Sequence, residues 1–154
     1  MATTYNADNY GVPMPSFPGV GVPVVREFLF TNSVAFVVND VVQLCRIPGL
    51  GSPLVLDNFF MDIPDLDSGG APTFACSVGD GATPGKFVAI QTAIGQGPGK
   101  FDLRTNGVAA CMPVSYSANE NLVFKVTTVA QTAPTGGVIK GWLMYHYIGA
   151  PTPV

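Results

Sequence analysis

From Val24 onward the apolar and polar residues alternate at a period of two, and scarcely any stretch carries a helical period. The most legible stretch is Leu54 to Gly81, LVLDNFFMDIPDLDSGGAPTFACSVGDG. Val55, Phe59, Met61 and Ile63 fall on one side of an extended chain, and Phe74, Cys76 and Val78 do the same after an acidic turn. Between them Pro64 to Gly70, PDLDSGG, stops pairing with residues that bond their own backbone or tolerate positive φ. The pattern predicts two strands folded against each other as a hairpin-like unit. Leu54, Leu56 and Phe60 place apolar groups on the other side of the first strand too, which implies burial on both of its faces.

Further strands are predicted at Val24–Thr31, Val34–Val38, Val41–Ile47, Lys86–Gln91, around Phe101–Arg104, at Val108–Val114, through Leu122, Phe124 and Val126, and at Val138–Tyr147. Asn39-Asp40, Pro48 to Pro53 and Gln131 to Gly137 supply turns between them. Eight or so short strands at this spacing imply an all-β antiparallel sandwich of jelly-roll type. Residues 1–23 carry Pro13, Pro15, Pro18 and Pro23 and read as an extended arm; 24–148 form the β-sandwich domain and 149–154 a short tail.

Composition turns this fold toward assembly. The 154 residues suit one domain, and a chain of 16.1 kDa buries about 68% of its surface, enough for a single core. It is 47% hydrophobic but only 11% charged, where soluble domains carry about 25%. So few charges leave apolar surface to be covered by partners. Tyr10, Met14 and Phe17 on the arm, and Trp142, Tyr145 and Tyr147 on the last strand, are the contact residues expected. The formal charge is -3 and the cations are scattered from Arg26 to Lys140, so no basic face for nucleic acid is expected. No run approaches the roughly 18 apolar residues of a membrane span. MATTYNADNY lacks the basic-then-apolar pattern of a secretory signal, and residence in a reducing cytoplasm is expected.

Candidate chemistry is sparse. Cys45, Cys76 and Cys111 sit among apolar neighbours and read as buried thiols, with one disulfide left open; no CxxC or Cys-His spacing supports zinc. Asp57, Asp62, Asp65, Asp67 and Asp80 gather in and around the acidic turn, and hard cations want several oxygens from one loop. An EF-hand is excluded, because counting from Asp65 its twelfth position is Cys76. An irregular calcium site at Asp65, Asp67 and Asp80 stands as the alternative to turn-forming aspartates. His146 is the only histidine and lies between two tyrosines on a strand, where a packed or interface residue is more usual than a base. GDGATPGK and GQGPGK lack the glycine spacing and the Ser or Thr of a phosphate loop. No enzyme activity and no cofactor are expected.

The segments Asn39-Asp40-Val41-Val42-Gln43-Leu44, Ile47-Pro48-Gly49, Leu54-Val55-Leu56-Asp57, Asp65-Leu66-Asp67-Ser68-Gly69 and Val78-Gly79-Asp80-Gly81 with Phe87 resemble the small β-sandwich head decoration, or cement, proteins of tailed bacteriophages. The likeness runs from about Asn39 to Tyr147; the Pro-rich arm and the three cysteines depart from the pattern. The resemblance implies a virion protein, made in the host cytoplasm, that sits on the capsid surface as a homotrimer and stabilises contacts between major capsid subunits. A carbohydrate-binding domain of a phage fibre or spike, with Trp142 beside Asp57 or Asp102, is the alternative, and a tail or baseplate structural protein a third.

Overall fold

The computed structural model describes residues 1–11, 18–48, 53–91, 95–102 and 113–149, and within these the chain is all strand and loop. The strands are β1 (Thr4–Asn6), β2 (Pro23–Thr31), β3 (Val41–Ile47), β4 (Leu54–Ile63), β5 (Ala75–Asp80), β6 (Val88–Gln91), β7 (Gly99–Asp102), β8 (Val114–Tyr116), β9 (Glu120–Thr128) and β10 (Val138–Tyr147). Pairing is nested: β2 with β10, β3 with β9, β4 with β7 and β5 with β6, every pair antiparallel. Rolled up, the nest makes two layers, β2-β10-β4-β7 with β8 also on β4, and β1-β3-β9-β5-β6. That is a jelly roll, as the strand spacing implied.

The predicted hairpin is not one. β4 pairs with β10, β7 and β8 in one sheet, whereas β5 pairs with β9 and β6 in the other. A hairpin needs a tight turn, and residues 64–74 instead form a crossover between layers. Val34–Val38 is also not a strand: Asn39 adopts φ 69 and the Asp40 carboxylate accepts the Val37 N–H at 2.8 Å, which folds the segment into a turn. Only Phe36 of that segment points into the core. The predicted strand at Val108–Val114 lies largely outside the described residues, and β8 begins at its last residue.

Burial of β4 on both faces is likewise corrected, by a β-bulge. Tyr145 of β10 pairs with Leu56 and Met144 with Asn58, so Asp57 is the extra residue. The side-chain phase flips there: Leu54 and Leu56 point inward before the bulge, Phe59, Met61 and Ile63 after it. Val55, read from sequence as inward, lies on the outer side.

The core between the layers is aromatic. Phe59 lies 5.7 Å from Phe87 and 5.4 Å from Phe101, and Phe124 lies 6.2 Å from both Phe36 and Phe74, measured between ring centroids. Cys45 and Cys76 are buried thiols, and desolvation pushes both up to about 12, against which the Arg26 charge pulls Cys45 down. They serve as small hydrophobes in this structure. Cys111 lies outside the described residues.

Candidate functional site

On β10, Val-Ile-Lys-Gly-Trp-Leu-Met-Tyr-His-Tyr, Ile139, Leu143, Tyr145 and Tyr147 point inward and Lys140, Trp142, Met144 and His146 outward. Two of the expected contact residues are therefore core residues. Tyr145 is fully buried and Tyr147 is 5% exposed, their rings edge to face at 5.6 Å. A strand's period of two cannot send 142, 145 and 147 to the same face.

Trp142 is half-buried on the outer face, stacked on Phe60 of β4 with centroids 6.0 Å apart and planes 20° apart. On the neighbouring β2 the outward Glu27 is paired with Trp142, with exposed Leu29 and Val25 on either side of it, opposite Lys140 and Met144. Beside the stack runs an open groove of about 600 Å³ lined by Trp142, Phe60, Leu29, Asp62, Asp8 and Asn9. Lys140 Nζ lies 3.8 Å from Asp62 at the rim, an exposed pair that adds little stability. Phe60, Val25 and Leu29 were not expected as surface groups. The alternation of β2, with Val25, Glu27, Leu29 and Thr31 outward, carries that signal, but Phe60 becomes legible only once the bulge is placed.

At the bulge, His146 Nδ1 lies 2.8 Å from Asp57 Oδ2. The pair stitches β10 to β4 across the irregular register. Asn58, next along, donates to the Asp102 carboxylate at 3.3 Å. Of the two aspartates the sugar-binding alternative placed beside Trp142, Asp57 is engaged by His146 at the bulge, whereas Asp102 lies in the same cross-strand row as Phe60 and Trp142, and Asp62 lines the groove with Trp142.

The arm is partly docked on its own sandwich. Tyr10 is half-buried, its hydroxyl donating to Asn121 Oδ1 at 2.7 Å, with the Arg46 guanidinium 5.0 Å over its ring. Met14 and Phe17 lie outside the described residues.

The aspartates of the alternative calcium reading do not converge; among the described residues no group of three or more His, Cys, Asp or Glu is placed to hold a metal. Asp65 accepts the Asp67 N–H at 2.9 Å, the self-bonded turn read from sequence. Asp67 accepts N–H groups from Thr73 at 2.6 Å, from Phe74, Gln131 and Thr132 at 3.0 Å, and from Gly69 at 3.3 Å. It ties the crossover to the loop before β10. Asp80 is buried elsewhere, bonded to Lys86 Nζ at 2.6 Å, the Tyr116 hydroxyl at 2.9 Å and the Thr83 N–H at 2.7 Å.

Desolvation works to raise the pKa of Asp67, but the N–H groups of Thr132, Gln131, Thr73 and Phe74 outweigh it and hold the carboxyl well below the usual carboxylate range. A depressed folded-state pKa contributes stability that is fully present above the unfolded value, about 3.9, and is lost as pH falls below it toward the folded value. Unfolding free energy measured between pH 6 and pH 2.5 is expected to fall more steeply for the native protein than for Asp67→Asn. Superimposable profiles would contradict this role.

The fold and its outer face together define a jelly-roll β-sandwich whose outer sheet surface carries a stacked Trp142–Phe60 pair among charged groups. No family model matches the chain, and neither does any curated protein. Solved structures do match. A chain in the capsid of Ralstonia phage GP4 superposes with a TM-score of 0.74 at 24% identity, covering 93% of this chain and 97% of that one. A chain of the cyanophage Pam1 capsid asymmetric unit gives 0.65 at 16% identity over 88% and 91%, and one from the acidic stable capsid of Helicobacter pylori bacteriophage KHP30 gives 0.55 at 13% over 88% and 97%. What these chains share with this one is the fold, over 88–93% of this chain.

Proposed function

We propose that this protein is a structural component of a phage capsid, of the decoration or cement kind, binding the outside of the shell and stabilising contacts between major capsid subunits. The observation that carries the reading is the whole-chain correspondence with a chain of a phage capsid, 93% of one covering 97% of the other. The Trp142–Phe60 stack, with Leu29 lining the same groove, is the surface that shell contact would cover. Adding buried area across joints between subunits makes rupture of the shell break those contacts as well. Self-association as a trimer would place several such surfaces on one shell site.

Trp142 is the only tryptophan, so its emission reports this face directly. Heads lacking the protein are expected to bind it with a blue shift of that emission. Trp142→Glu should leave the circular dichroism unchanged and weaken binding at least about tenfold, as loss of an aromatic anchor does. Undiminished binding by the variant would remove this face from the reading; failure of the native protein to bind heads would remove the reading itself.

A second reading, glycan recognition, draws on the same groove, where a tryptophan stands beside Asp62 and Lys140. A glycan array distinguishes it, since only that reading expects retention lost with Trp142→Ala.

A further inference from the structure

An open sandwich has edges, and unpaired edge groups accept any extended chain. Here residues 3–10 close one side of both sheets. β1 lies parallel to β3, with Thr4 opposite Val41 and Asn6 opposite Gln43, and its ends are fixed by Val41 N–H to Thr3 O at 3.0 Å and Ala7 N–H to Gln43 O at 2.9 Å. Asp40 Oδ1 takes the Thr3 N–H at 2.7 Å. The segment then crosses to the other layer and finishes the edge of β2.

Between Glu27 and Thr31 that edge is met by groups of the strap. The Asn9 side-chain amide donates to Glu27 O at 2.9 Å and accepts from Leu29 N–H at 3.1 Å, standing in for the peptide group of a neighbouring strand. Asp8 N–H donates to Leu29 O at 2.6 Å, and Asp8 Oδ2 accepts from Thr31 N–H at 3.2 Å and Thr31 Oγ1 at 2.8 Å. Tyr5 fills the mouth between the layers, 6.1 Å from Phe30 and 6.0 Å from Phe36 between ring centroids, and Ala7 is buried. Tyr10 ends the strap on Asn121.

We propose that residues 3–10 are an exchangeable strap, and that the slot between the edges of β2 and β3 accepts the same segment from a second copy of the chain. The seating groups all belong to residues 3–10 on one side and to β2, β3, the Asp40 turn and Asn121 on the other. The slot reads a short sequence, and a second copy carries the identical groups. Strand exchange of this kind links subunits without evolving a new surface. It also keeps the Glu27–Thr31 edge and the edge of β3 occupied, by the chain's own strap or a neighbour's, against unrelated strands. The inference extends the capsid reading but is measured in solution without shells, so its failure would leave that reading standing.

The test uses protein lacking residues 1–11 and a fluorescein-labelled peptide of residues 1–11. Truncated protein that remains folded by circular dichroism is expected to bind the peptide saturably at one per subunit. A peptide carrying Asp8→Ala and Asn9→Ala should bind at least about tenfold more weakly, because the edge hydrogen bonds are gone. Absence of saturable binding, or equal binding of both peptides, would overturn the proposal. Should the truncated protein not fold, the full chain with Asp8→Ala and Asn9→Ala has a loosened strap; it is expected to take up the native peptide, and failure to do so overturns the proposal equally.

Discussion

Gly79→Ala is expected to destabilise the protein by about 3 kcal/mol, at the upper end of what added volume costs in a packed interior. A β-carbon on Gly79 would fall on the Thr83 carbonyl oxygen and within 2.7 Å of both Lys86 N and Pro84 C. All three are backbone atoms, so no rotamer change relieves the overlap and the loop between β5 and β6 must move. That loop is held by Phe87 N–H to Val78 O at 3.0 Å and by the buried Asp80 carboxylate with Thr83, Lys86 and Tyr116. Shifting it strips Thr83 and Lys86 from the buried Asp80 carboxylate, leaving it only the Tyr116 hydroxyl of β8. Gly70→Ala is the control, since a β-carbon there meets nothing within 4 Å, and it should stay within about 0.5 kcal/mol of the native protein. Urea unfolding of both variants decides the matter; equal costs would mean the loop yields freely.

Phe124→Ala is expected to cost about 4 kcal/mol and to lower the melting temperature by about 8–16 °C. Phe124 is fully buried on β9, which lies between β3 and β5 in its sheet. Its ring supports Phe36, the single inward residue of the 34–38 turn, and Phe74, the last residue of the crossover from β4 to β5. Neither segment belongs to a strand, so neither has ladder hydrogen bonds to hold it once the ring is gone. The void therefore loosens two connections as well as the core. A drop in melting temperature under about 3 °C, read by calorimetry, would show that the surrounding rings collapse into the space.

Much of this was written in local residues. Val24, Phe28 and Phe30 alternate with exposed partners in β2, and β3 and β10 fall at the bounds their patterns gave. The aspartate-rich turn bonds its own backbone as such residues do. The contact surface was legible only in part: Trp142 was named, but Tyr145 and Tyr147 were placed with it although a strand sends them to the opposite face. Phe60 went unnamed because Asp57 hides the change of phase on β4.

What the sequence by itself determined was the class: periodic strands joined by turn chemistry. Strand partners, and with them which layer each strand joins, were decided only by tertiary structure. Alternation is a property of neighbours along the chain, whereas nested pairing of β2 with β10 depends on which rolling-up buries every inner face at once. A single extra residue at Asp57 reverses the faces of all that follows on β4, and the capping of an edge by Asp8 and Asn9 exists only where the two sheets come side by side.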